Sequence, residues 1–79
     1  MNQEEAINWI AGMFNESASD LSPDTLREDI PEWDSLGVLT LMAEMDEKFG
    51  IILSDEDTEK MTRVDDLLQT LRENGKLES

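Results

Sequence analysis

Apolar residues return at helical spacing in three separate stretches of this chain, and nowhere does period-two alternation run long enough for a strand. Ile7, Ile10, Ala11 and Phe14 fall at i, i+3, i+4 and i+7. Val38, Leu41, Met42, Met45 and Phe49 share one face at about 100° per residue, and Val64, Leu67, Leu68 and Leu71 form a third stripe. A chain of 79 residues with 38% apolar content must pool these stripes in one modest core. It has no cysteine and no histidine, so neither a disulfide nor a Cys/His zinc site reinforces that core. The expected fold is all-α: one domain over 1–79, a four-helix bundle with a short third helix and a long loop between helices one and two.

Local signals place the helices at about 3–17, 35–49, 54–61 and 62–74. Asn2 can cap the first, with Glu5 three residues on; Gly12 inside it costs about 1 kcal/mol relative to alanine. Residues 18–33 carry both prolines. Ser22-Pro23-Asp24 suits a short turn of helix, and Leu21, Leu26, Ile30 and Trp33 are apolar anchors that would pin the connection to the core. Gly50 suits a left-handed stop after the second helix, and Gly75 can end the fourth. Ile51-Ile52-Leu53 is too short for a strand and reads as buried loop. Ser54-x-x-Asp57 and Thr62-x-x-Asp65 read as capping boxes for the third and fourth helices, and the last few residues as a loose tail.

Twenty acidic against six basic residues give a formal charge of −14. Such a field repels phosphate backbones and anionic lipid surfaces, which argues against nucleic acid and membrane as partners. It attracts proteins with basic patches and speeds their encounter. No apolar run approaches the roughly 18 residues of a membrane span. The start, Met1-Asn2-Gln3-Glu4-Glu5, is acidic where a secretory signal would be basic, so the expected location is cytoplasmic. Asp55-Glu56-Asp57 with Glu59 lacks the glycine and spacing of a calcium loop, and no metal site is expected.

The densest functional signal is Asp34-Ser35-Leu36, at the start of the second helix. An N-cap explains an acid or serine there, but it does not explain the neighbouring leucine and glycine. Ser35 is no hydrolase nucleophile: the chain has no histidine to act as base, and no Gly-x-Ser-x-Gly elbow surrounds it. A phosphate diester on Ser35 is physically reasonable, because the first turn of a helix offers free N–H groups and the positive end of the macrodipole. A serine that nothing in the chain can activate suits a group installed by another enzyme. That points to a carrier rather than a catalyst.

Asp34-Ser35-Leu36, followed by Leu-Met-Ala-Glu-Met-Asp-Glu-Lys-Phe-Gly-Ile, resembles the acyl carrier protein family, and the likeness runs from roughly Glu5 to Leu71. The resemblance implies 4′-phosphopantetheine on Ser35, flanked by Asp34 and Leu36 and installed from coenzyme A by a phosphopantetheinyl transferase. Acyl groups would ride on it as thioesters, presented by a monomer to acyl-loading and acyl-processing enzymes with basic docking patches in fatty acid, polyketide or related biosynthesis. It implies a partner face of Leu36, Gly37, Leu39, Thr40, Ala43, Glu44 and Glu47. Val38, Leu41, Met45, Leu67 and Leu71 would line an acyl pocket, although periodicity alone reads the same five as core. Members serving fatty acid synthesis usually have glycine where this chain has Glu32, and acids where it has Gly37 and Thr40. The outward acids here are Asp34, Glu44 and Glu47, which favours a dedicated carrier of a particular pathway. Peptidyl carriers usually show two glycines shortly before the serine; Glu32-Trp33 stands here. The alternatives are an aminoacyl or peptidyl carrier loaded by an adenylating enzyme, or an unmodified helical interaction module. Trp33 reads either as an aromatic closing the bundle end or as a contact beside the arm.

Overall fold

Asn2 starts the first helix. Its side chain accepts from the Glu5 N–H at 2.8 Å while the Glu5 carboxylate accepts from the Asn2 N–H at 3.0 Å, so two otherwise orphaned donors are satisfied. The computed structural model, which describes residues 1–78, places α1 at Gln3–Met13. The helix stops short of the expected residue 17. Asn15 takes φ 57°, the left-handed conformation that asparagine tolerates, and the Glu16 N–H turns back to the Ala11 carbonyl at 2.8 Å.

The connection to α2 contains two single 3₁₀ turns, Ala18–Asp20 and Arg27–Asp29. Ser22-Pro23-Asp24 does not start a helical turn. Ser22 and Thr25 close a tight turn on themselves, with Thr25 N–H on the Ser22 carbonyl at 3.1 Å and Ser22 N–H on Thr25 Oγ1 at 2.9 Å. Leu21, Ile30 and Trp33 anchor the segment in the core, but Leu26 is 39% exposed. Its backbone is committed instead: Arg27 N–H bonds the Thr62 carbonyl at 2.8 Å and Val64 N–H bonds the Thr25 carbonyl at 2.9 Å, making a one-residue antiparallel bridge between Leu26 and Arg63.

Helix α2 runs Ser35–Glu44 and continues as one π-helical stretch, Met45–Phe49, until Gly50 stops it at φ 68°. Ile51 and Leu53 are buried, whereas Ile52, between them, is 75% exposed, so only two residues of that loop serve the core. Helix α3 spans Asp55–Glu59 behind the expected Ser54–Asp57 capping box. Helix α4 spans Val64–Glu73. The acid that closes its start is Asp66, one residue beyond the expected Asp65; its carboxylate accepts from the N–H groups of Thr62 at 2.7 Å and Arg63 at 3.1 Å. Asp65 faces Arg72 instead, at 3.5 Å. Gly75, at φ 70°, ends the helix. The residues after it are not a loose tail: Leu77 is buried and the Glu78 N–H bonds the Met1 carbonyl at 2.8 Å. Ser79 lies outside the described residues.

The apolar stripes meet as expected of an all-α bundle. Ile10 from α1, Phe14 at its C-cap, Leu41 from α2, Met45 from its π turn and Val64, Leu67, Leu68 and Leu71 from α4 are fully buried together. Among the described residues no strand forms, and no helix is long and apolar enough to cross a membrane.

Two outcomes follow from the charges. Among the described residues the ion pairs between side chains are few and those side chains at least one third exposed, so mutual repulsion among the acids is weakly offset. Raising ionic strength until the Debye length falls to about 3 Å should raise the melting temperature; an unchanged melting curve would contradict this. The Ser54 backbone N–H and then its hydroxyl hold the Asp57 carboxyl below the usual aspartate range. Because the folded value is the lower one, that stabilisation is present at neutral pH and is lost as pH falls through it. In Ser54→Ala, a carboxyl-carbon NMR titration should place Asp57 closer to an ordinary aspartate.

Candidate functional site

Ser35 is the first residue of α2, and its surroundings are set by Asp34. The Asp34 carboxylate accepts from the Gly37 N–H at 3.0 Å, and its carbonyl accepts from the Val38 N–H at 2.8 Å. Asp34 is thus spent as the N-cap. The N–H groups of Ser35 and Leu36 find no protein acceptor among the described residues, which leaves two donors at the positive end of the helix beside an exposed hydroxyl. Among the described residues no basic side chain hydrogen-bonds Ser35, so none of them raises its nucleophilicity.

Gly37 is held for a steric reason. A β-carbon at this position would fall inside the van der Waals shell of the Glu32 carbonyl oxygen, and would also stand 3.4 Å from the edge of the Phe14 ring. The connection therefore crosses the first turn of α2 at backbone contact, and only glycine admits that crossing. Of the expected partner face, Gly37 is half-enclosed by this crossing. Leu36 and Leu39 are 74% and 62% exposed, Thr40, Ala43 and Glu47 are exposed, and Glu44 is half-buried. Thr40 turns its hydroxyl back to the Leu36 carbonyl at 3.3 Å. Beyond the exposed Asp34 cap, the face of α2 nearest Ser35 is accordingly apolar and uncharged.

Of the five expected pocket residues, Leu41, Met45, Leu67 and Leu71 are fully buried and Val38 is half-buried. They are close-packed with one another's neighbours in the core. Two surface clefts lie elsewhere. One, of about 450 Å³, runs between the Gly50–Leu53 loop, α3 and α4. The other, of about 520 Å³, lies between the α1–α2 connection and α3, lined by Leu26, Arg27, Ile30, Trp33, Glu59 and Met61 among others.

Trp33 closes the bundle end, stacked on Phe14 with ring centroids 5.1 Å apart and planes 14° from parallel. Over the Trp33 ring, 5.6 Å from its centroid, sits the Arg27 guanidinium, which sequence reasoning missed. Its Nε donates to the Trp33 carbonyl and its Nη1 to the Thr58 carbonyl, each at 3.3 Å, so one side chain ties the connection to α3. The available signal was its isolation: it is the sole cation between Met1 and Lys48. Among the described residues no cluster of His, Cys, Asp or Glu is arranged to hold a metal.

No family model matches the chain. Its sequence is 33% identical over 79 residues to the acyl carrier protein of Rubrobacter xylanophilus, covering 94% of this chain and 96% of that protein. It is 32% identical to that of Helicobacter pylori, over 82% of this chain and 83% of the relative, and 31% identical to that of Solidesulfovibrio magneticus, with the same coverage.

The crossing at Gly37 makes a prediction opposite to helix propensity. Alanine normally stabilises a helix interior by about 1 kcal/mol relative to glycine. Here Gly37→Ala should destabilise by about 2 kcal/mol, the cost of overpacking, read as a lower denaturant midpoint at unchanged slope.

Proposed function

The chain belongs to the acyl carrier protein family, and on that premise we propose that it bears 4′-phosphopantetheine on Ser35 and presents acyl thioesters on that arm to its loading and processing enzymes. The observation that carries the proposal is the pairing of an exposed, unactivated serine with two unclaimed N–H groups at a helix N-terminus. A phosphodiester on Ser35 Oγ fits that donor set and the macrodipole behind it. The arm supplies a thiol, which holds the acyl group as a thioester.

The chain's own residues present and protect. Asp34, spent as the cap, fixes the first turn of α2 and hence the direction in which Ser35 points. Leu36 and Leu39 offer a phosphopantetheinyl transferase and later enzymes an apolar contact beside the attachment point, with Thr40 and Ala43 continuing it and Glu44 and Glu47 offering charge further along. An alkyl cargo that enters between Val38, Leu41, Met45, Leu67 and Leu71 has to part a close-packed core, and the unbranched Met45 is the side chain best able to re-pack around it. We place this carrier, as a monomer, in the cytoplasm and in a dedicated pathway, since its surface beside Ser35 lacks the acids typical of fatty acid synthesis.

Co-expression with a promiscuous phosphopantetheinyl transferase, followed by intact mass measurement, should give one phosphopantetheine adduct in the wild type and none in Ser35→Ala. Wild-type protein that stays unmodified with every transferase tried would refute the reading.

A further inference from the structure

We propose that the cleft between the α1–α2 connection and α3 is the resting site of the arm on Ser35, where the Trp33 indole N–H donates to a carbonyl carried on that arm. The inference rests on the carrier reading of Ser35 and adds to it a place and a partner for the arm.

Trp33 is buried to 3% exposure, and its Nε1 is shut off from solvent without a hydrogen-bond acceptor. A buried donor left unpaired is destabilising, so a ligand that supplies an acceptor recovers that deficit. Trp33 also lines the cleft of about 520 Å³, and it stands two residues before Ser35 in the chain. The walls suit an arm of alternating amide and alkyl character: Leu26, Ile30 and Met61 are apolar, and Arg27 stands among them with two of its five N–H bonds engaged among the described residues. Glu28 and Glu59 also line the cleft and are exposed, yet neither forms an ion pair with Arg27 among the described residues. Their negative field disfavours a carboxylate and leaves a neutral carbonyl as the fitting acceptor. Because Nε1 has no open path to solvent, a wall must yield for the carbonyl to reach it. Met61, unbranched and shared between both clefts, is the side chain able to do so.

The acceptor is either an amide carbonyl of the arm or the carbonyl of the thioester at its end. Nitrogen-15-labelled protein, loaded by the transferase from coenzyme A or from butyryl-coenzyme A, separates the two. Intact mass first verifies that each form carries its arm; failure at that step refutes the carrier reading and not the resting site. The Trp33 indole N–H resonance should then move downfield relative to the unloaded protein. Trp9, whose Nε1 is also unpartnered but which lines neither cleft, is the internal reference and should stay put. A shift already present with the bare arm identifies an amide carbonyl; a shift that arises only with butyryl identifies the thioester. In Trp33→Phe, which keeps an aromatic ring on Phe14, the butyryl thioester should hydrolyse about fivefold faster, the equivalent of one net hydrogen bond. A Trp33 resonance unmoved in both loaded forms of the wild type would overturn the proposal whether or not the variant folds well, and so, where the shift has arisen only with butyryl, would equal hydrolysis rates in two folded proteins.

Discussion

The placement of Ser35 depends on one backbone contact, the Glu32 carbonyl laid against Gly37. Without room for that carbonyl the connection could not lie flat across the first turn of α2. Trp33 would then not reach Phe14, and Arg27 would lose the carbonyl it holds on Trp33. The crossing, the stack and the guanidinium form a chain of contacts from α1 through the connection to α3. Asp34, immediately after, caps α2. An apparently featureless glycine is thus the hub of the site.

Much of this was legible in the sequence where a short-range rule governs. Asn2, Ser54 and Gly50 behave as caps because capping needs only residues three or four apart. Ile10, Phe14, Leu67 and Leu71 are core because the helical period leaves them nowhere else to go. The failures are equally instructive. Leu26 and Ile52 are apolar yet exposed, since one sits in a backbone bridge to Arg63 and the other alternates outward between two buried neighbours. The choice of Asp66 over Asp65 turned on the start of α4, which tertiary bonds to Thr25 and Arg27 set. The steric role of Gly37 and the tie made by Arg27 are long-range facts, and no local spacing announces them. Ser35 itself was found by what the chain lacks, a base.

The charge of the molecule and the character of its site differ in a way that bears on recognition. A net charge of −14 draws basic partners from a distance, but on the helix side of Ser35 the near residues are Leu36, Gly37, Leu39 and Thr40, with the acid Asp34 spent as the cap before it. Long-range attraction and close fit are therefore assigned to different parts of the surface. Encounter with a basic partner should be governed by acids spread over the whole protein, and the final discrimination by leucine side chains next to Ser35.

The π turn at Met45–Phe49 changes what distance along α2 means. A wider turn takes more residues to come round, so side chains after Met45 lag behind the angles that a regular helix would give them. Glu47 and Lys48 are consequently rotated out of phase with Leu36 and Leu39. An enzyme shaped to a carrier with an uninterrupted α-helix would meet these two charges at the wrong azimuth even if every aligned residue were identical. Winding, as much as composition, decides where these two charges stand on the surface of α2.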